Sequence, residues 1–197
     1  MIINSTTIAM ATNKINSKKK GSKFERTVCK WLQNWTGYEF SRVPASGGLR
    51  WKKTDNITSD VICTDDKHAR KFCFSVECKS YSDIRFEHVL LELKTCKILS
   101  FWEQACNDAK RGNKLPLLIM KYNGMPKGEA FVVMNRDTYE KCIKPQNKVC
   151  VKPRLAFMMD PKKPEASVFY IIMFSDIKKM DYKEFHKAAR TLLKSLK

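Results

Sequence analysis

The sequence predicts an α/β fold, a central mixed β-sheet flanked by α-helices. Three observations predict it. Apolar residues recur at helical spacing in separated stretches, near residues 24–35, 98–109 and 185–196. Between them lie short runs rich in β-branched and aromatic residues, such as "SVFYIIMF". The order is helix, three strands, helix, two strands and then further elements, which favours a sheet with helices packed on it.

Residues 1–21 are polar, contain no acid, and read as a mobile basic arm ending in "SKKKG". From Ser22 the pattern turns helical: Phe24, Val28, Trp31 and Leu32, and Trp35 share a stripe, with Gly37 as the stop. Glu25 lies three residues after Ser22, a capping-box spacing that explains this glutamate without any chemistry. "YEFSRV" is strand-like, "PASGGLRWKKTDN" is a loop, and "SDVICT" is a strand. After the turn "DDKHAR" comes "KFCFSVECKS". Its alternation puts Phe72, Phe74, Val76 and Cys78 on one face and Cys73, Ser75, Glu77 and Lys79 on the other. These two strands are short and close enough to pair as a hairpin.

"SYSDIRFEHVLLEL" fits neither period. A long helix is expected over Lys94 to Arg111, stopped by Gly112, with Ile98, Trp102, Ala105 and Ala109 inward. Trp102 reads as core, not as a stacking platform. "LPLLIMKY" and "EAFVVM" are strands around the turn "NGMPKG", and "RDTYEKCI" is a short helix. Beyond a Pro/Lys-rich link, "RLAFMM" and "SVFYIIMF" read as a hairpin, and "DYKEFHKAARTLLKSLK" as an amphipathic helix with a basic outer face. The expected organisation is therefore an arm (1–21), a core (22–142) and a C-terminal extension packed on it (143–197).

Charge bounds the partner. There are 38 Lys and Arg against 20 Asp and Glu, a net charge of +18. The isoelectric point is near 9.6. Such a field attracts polyanions, nucleic acid first. A membrane partner is disfavoured: no apolar run reaches the ~18–20 residues of a span, and no signal-peptide pattern opens the chain. A soluble, intracellular protein is expected. The eight Cys form no CxxC pair and the three His no HxxxH pair, so a zinc site is not expected. The Cys read as small, reduced, buried residues.

One constellation carries chemistry. Sixteen residues separate Asp60 from Glu77, and Lys79 follows two positions on. If the two strands pair as a hairpin, both carboxylates converge with Lys79 beside them. Two adjacent carboxylates repel unless a proton or a divalent cation intervenes. Oxygen ligands of this kind suit Mg²⁺, with the backbone carbonyl of Cys78 in reach. Lys79 is then placed to orient water or to stabilise charge developing on a phosphodiester. The bland alternative is a solvated Glu77–Lys79 pair worth at most ~1 kcal/mol.

"GSKFE", "RVPASGG", "SDVI" and "VECKS", in that order over about residues 20–140, resemble the archaeal-type Holliday junction resolvases of the PD-(D/E)xK nuclease superfamily and their phage-encoded relatives. The resemblance implies a restriction-endonuclease-like fold, Mg²⁺ as cofactor with Mn²⁺ able to substitute, and cleavage of four-way DNA junctions by a homodimer. It assigns Glu25, Asp60 and Glu77 as metal-binding carboxylates and Lys79 as the catalytic lysine. It matches Ser46 to a mobile serine near the DNA and Gln104 to a glutamine on the helix before the next strand. Arg42, Arg50, Lys52 and Lys53 flank the Ser46 loop as expected phosphate contacts, and Lys121 is a further candidate. One departure is Ser59, which stands where the superfamily has a proline before the first aspartate. Residues 143–197 match nothing in this pattern.

The expected function is thus a Mg²⁺-dependent, structure-selective endodeoxyribonuclease of a phage or prokaryotic cytoplasm. Two rivals stay open: a restriction-type or general duplex endonuclease of the same superfamily, and a nucleic-acid-binding protein without catalysis. An exonuclease of the superfamily is less favoured, because no QxxxY follows the ExK strand.

Overall fold

The computed structural model describes residues 17–43, 59–91, 96–146, 155–158 and 168–196. Ser46, Arg50, Lys52 and Lys53, and residues 1–16 of the expected arm, lie outside the described residues.

Helix α1 runs over Ser17–Thr36 and stops where Gly37 takes a left-handed backbone (φ 75°) and returns its N–H to the Gln33 carbonyl at 2.8 Å. It begins five residues before Ser22. The capping box expected at Ser22 and Glu25 is therefore not formed: both residues sit inside the helix, and residues 17–21 are helical. The apolar stripe of Phe24, Val28 and Leu32 is buried as the spacing requires.

Strands β1 (Phe40–Arg42), β2 (Val61–Cys63) and β3 (Phe74–Tyr81) pair antiparallel in succession, and a 3-10 turn (Ala69–Lys71) links β2 to β3. The ambiguous stretch after β3 forms only the short helix α2 (Glu87–Leu90). Helix α3 (Lys97–Arg111) crosses over to β4 (Leu115–Tyr122), which lies parallel to β3 from Phe74–Leu115 to Tyr81–Tyr122. Helix α3 starts at Lys97 and not at Lys94; residues 92–95 are outside the described set. Strand β5 (Phe131–Asn135) returns antiparallel. Asn135 caps α4 (Arg136–Thr138), which widens into a π turn over Tyr139–Ile143. Strands β6 (Leu155–Met158) and β7 (Val168–Met173) form a hairpin. Helices α5 (Phe174–Ile177) and α6 (Tyr182–Ser195) close the chain.

All seven strands form one mixed sheet in the order β1-β2-β3-β4-β5-β7-β6. The C-terminal hairpin thus continues the central sheet, because β7 pairs with β5 from Phe131–Met173 to Asn135–Phe169. Helices α1 and α6 cover one face. There Phe185 of α6 stacks on Phe74 of β3 with centroids 5.4 Å apart, and Trp35 of α1 meets Phe185 edge-on. Helix α3 covers the other face through Ile98, Phe101, Trp102 and Ala105, so Trp102 is core as expected. The seven described cysteines are free thiols, and only Cys106 is not fully buried.

Covered on both faces, β3 is a central strand. Its polar face, with Ser75 and Glu77, is buried under α3 instead of facing water.

Candidate active site

The antiparallel register Val61–Val76 places Asp60, one step before β2, opposite Glu77. The Asp60 N–H donates to the Val76 carbonyl at 3.0 Å, and its own carbonyl accepts from the Val43 N–H at 2.9 Å. The backbone at Asp60 is held from both sides. Its carboxylate turns onto β3, where Oδ2 accepts the Cys78 N–H at 2.8 Å. Just upstream, the Ser59 and Ser75 hydroxyls share a buried hydrogen bond of 2.7 Å. Ser59 therefore fastens the entry of β2 to β3 through its side chain, at the position where the resemblance expects a proline.

Glu77 is only 3% exposed. Its Oε1 accepts from the Lys79 ammonium at 2.7 Å and from the Gln104 amide nitrogen at 2.8 Å. Gln104 closes the ring, since its Oε1 accepts from Lys79 Nζ at 3.0 Å. The ammonium also lies 5.5 Å from the centroid of Phe101. Helix α3 thus presents Gln104 and Phe101 to the lysine, and the ring of three polar groups fixes its position.

The electrostatics follow from burial. Burial, then the charge of Asp60, push the Glu77 carboxyl up to about 7, against the opposing pull of Lys79. Asp108, four residues after Gln104 and itself buried beside Arg111, adds to the rise. The Asp60 carboxyl is raised as well, by burial first and then by Glu25, against the Cys78 N–H and Lys79. Burial alone would lower the Lys79 pKa. The hydrogen bond and charge of Glu77, with Asp60 behind, outweigh it and hold the ammonium above its ordinary value.

The buried Glu77, raised by the half-buried Asp60 beside it and faced by one fixed ammonium, leaves the site short of positive charge. The donors are hard oxygens, as a divalent cation of the Mg²⁺ type prefers. Asp60 and Glu77 fit such an ion. Among the described residues, no group of three or more His, Cys, Asp or Glu side chains is assembled as a ready metal cluster. Glu25 shows why. Its charge reaches Asp60, but its Oε2 is engaged by Arg42 Nε at 2.9 Å, and Arg42 also reaches Ser22 Oγ at 3.3 Å. Arg42, expected on a phosphate, is instead half-buried against Glu25 in this state.

Lys121 pairs in register with Ser80, the residue after Lys79. Strand β4 is internal to the sheet and not at its edge, and Lys121 sits near its end on the α1 side, 5.3 Å from the centroid of Phe24. Lys20, assigned from the sequence to the arm, belongs to α1. It donates to the Tyr81 carbonyl at 2.9 Å, and its pKa is lowered by burial and then by the nearby charge of Lys121. These two cations flank the same end of β3 that carries Lys79. Lys20, Asp108 and the Ser59–Ser75 pair are the neighbours that sequence reasoning missed. Only Asp108 left a signal, its four-residue step from Gln104.

A family model described as "Phage putative PDDEXK endonuclease" matches residues 16–187. The chain belongs to this family of phage endonucleases. The chain is 29% identical over 108 residues to Protein D14 of Escherichia phage T5, a match covering 54% of this chain and 65% of that relative. The match thus spans a little less than two thirds of the relative's length. No solved structure matches the chain. The family match extends well past residue 143, so most of the C-terminal hairpin and helix, for which the sequence suggested no counterpart, falls within it. Among the described residues, no helix is long and apolar enough to cross a membrane.

Proposed function

We propose that the protein is a Mg²⁺-dependent endodeoxyribonuclease that cuts branched DNA, with the four-way junction as its preferred substrate and a homodimer as its working form. The observation that carries the reading is the buried Glu77, held to Lys79 and Gln104 with the half-buried Asp60 beside it. The net charge of +18 supports a polyanionic substrate. The junction preference rests on the ordered motifs that resemble the resolvases, and the dimer on the need for two paired incisions across a symmetric junction.

Asp60 and Glu77 would hold the ion, with the Cys78 carbonyl beside them and Glu25 joining once Arg42 releases it. The bound cation supplies Lewis-acid polarisation of the phosphodiester and a lowered pKa for water. The protein does the rest. Lys79 faces the scissile phosphate and stabilises the charge that builds on it. Gln104 and Glu77 hold that ammonium in place, so little reorganisation accompanies the reaction. Water oxygen bonds to phosphorus as the bond to the 3′ oxygen breaks, leaving a 5′-phosphate and a 3′-hydroxyl. Ser46, Arg50, Lys52 and Lys53 are assigned to the DNA backbone beside the cut, and Lys121 to the flanking phosphate.

The test compares four-way junction, flap and linear duplex substrates with and without Mg²⁺, for the wild type and for Asp60→Asn and Glu77→Gln. Preferential, metal-dependent junction cleavage that both substitutions abolish is expected. Equal cutting of linear duplex would make the protein a general duplex endonuclease. Cleavage that survives both substitutions would remove the site.

A further inference from the structure

The end of the sheet opposite Lys79 carries a basic groove that the chemistry above does not use. It lies between Tyr38 and α6 and has a volume of about 340 Å³. Four cations of α6 line it: Lys183, Lys187, Arg190 and Lys194, all exposed. No carboxylate lines it, and among the described residues none forms an ion pair with these four side chains. Asp65, whose charge reaches Tyr38, is engaged by the His68 ring at 2.7 Å and by the N–H groups of Lys67 and His68. Glu184 and Asp181 sit at the helix start, where Asp181 caps it.

The groove is firmly built. His186 Nε2 lies 2.9 Å from the Lys71 carbonyl and ties α6 to the 3-10 turn, whose Arg70 and Lys71 are exposed beside it. The Tyr38 ring stacks on His68 with centroids 3.9 Å apart. The charges of Arg190 and Lys114 both reach Cys73, just before β3. The positive field therefore sits at the start of β3, whereas the site sits near its end. Cys73 and Lys79 are six positions apart, ~20 Å at ~3.3 Å per residue.

We infer that this groove is a second DNA-binding surface, which grips the phosphate backbone of a duplex arm away from the scissile phosphate. Lys183, Lys187, Arg190 and Lys194 recur at helical spacing along one face. They extend over ~16 Å at ~1.5 Å per residue, about five nucleotide steps of one strand at ~3.4 Å each. The side chains are long and flexible cations, which suit phosphate oxygens along a backbone, so the contact holds the DNA without needing a particular sequence. Its role is to hold a segment of DNA that the catalytic end does not touch. The inference rests on the nuclease reading.

The triple substitution K187Q/R190Q/K194Q tests it, with duplex binding measured across a salt series without Mg²⁺ and cleavage measured with it. The expected result is at least a tenfold weaker affinity and a log K against log [salt] slope shallower by ~2–3. KM rises by a similar factor while kcat is unchanged, since the contact is made equally in ground and transition states. The charge-preserving K187R/R190K/K194R retains wild-type binding. Equal charge removal at Lys127, Lys178 and Lys179 has a smaller effect; an equal effect would mean net charge alone and overturn the groove. Unchanged binding and slope in the triple variant, with wild type still binding and cutting DNA, overturns the groove and leaves the nuclease reading intact. Wild type that binds no DNA overturns both. Loss of binding to anionic lipid vesicles with duplex binding intact would assign the groove to a lipid surface and overturn the proposal.

Discussion

The carboxylate of Asp60 accepts the backbone N–H of Cys78 at 2.8 Å, so the acid that precedes β2 is anchored on the strand between Glu77 and Lys79. This one bond joins two segments eighteen positions apart and holds the half-buried Asp60 carboxylate beside the buried Glu77. The charge imbalance it creates governs how the site responds to substitution and to pH.

In the proposed reaction Gln104 positions Lys79. It donates to Glu77 and accepts from Lys79, so Gln104→Met leaves the ammonium held by Glu77 alone. Loss of position at a reacting centre costs about 10²-fold. We expect kcat to fall by that order, with KM nearly unchanged. Single-turnover cleavage of a junction substrate checks this, and a fall in KM alone would remove the assignment.

Glu77 makes the stability of the metal-free protein fall as pH rises, which a Gln variant would not share. Its folded-state pKa is about 7, above the ordinary 4.5. The folded state therefore binds an extra proton between those values. The stabilisation is complete below the unfolded pKa and is lost as pH rises through the folded one. At ~1.4 kcal/mol per unit the loss approaches about 3 kcal/mol. Thermal unfolding of wild type and Glu77→Gln without metal, from pH 4 to pH 8, should show wild type losing ground across this window. Adding Mg²⁺ at pH 8 should raise the wild-type Tm and leave that of Glu77→Gln nearly unchanged.

Ser59 and Ser75 form a closed pair of buried hydroxyls. Ser59→Ala leaves the Ser75 hydroxyl buried without its partner and costs ~1–3 kcal/mol. S59A/S75A removes both and should recover most of that loss. Urea unfolding of the two single variants and the double variant gives the coupling directly. Additive losses would show that the hydroxyls do not act on one another.

Phe185 ties the C-terminal helix to the nuclease sheet. It is 1% exposed and packs on Phe74 and Trp35. Phe185→Ala should cost ~3–5 kcal/mol, and unfolding should stay a single transition. A separate, earlier transition would mark residues 143–197 as an independent unit.

Much of the site was legible because β-structure has a period of two. "KFCFSVECKS" puts Glu77 and Lys79 on one face from alternation alone, and a short connection makes a hairpin that brings Asp60 opposite. The buried stripes of α1, α3 and α6 were equally legible, from the 3.6-residue period. Glu25 was not. The sequence offered a local partner, Ser22, whereas the fold supplied a distant one, Arg42, because the helix began earlier than its apolar stripe.

The sequence by itself determined the element types, the acid–acid–lysine set and the basic character of the chain, since propensity, periodicity and composition are local or global sums. Only the tertiary structure decided that β3 is covered on both faces, that Gln104 bridges Glu77 and Lys79, that β7 lies between β5 and β6, and that the cations of α6 stand at the far end from the site. Those facts depend on which surfaces meet across the sheet. Burial of a charge, and so the pKa of Glu77, is a property of that meeting and not of any segment.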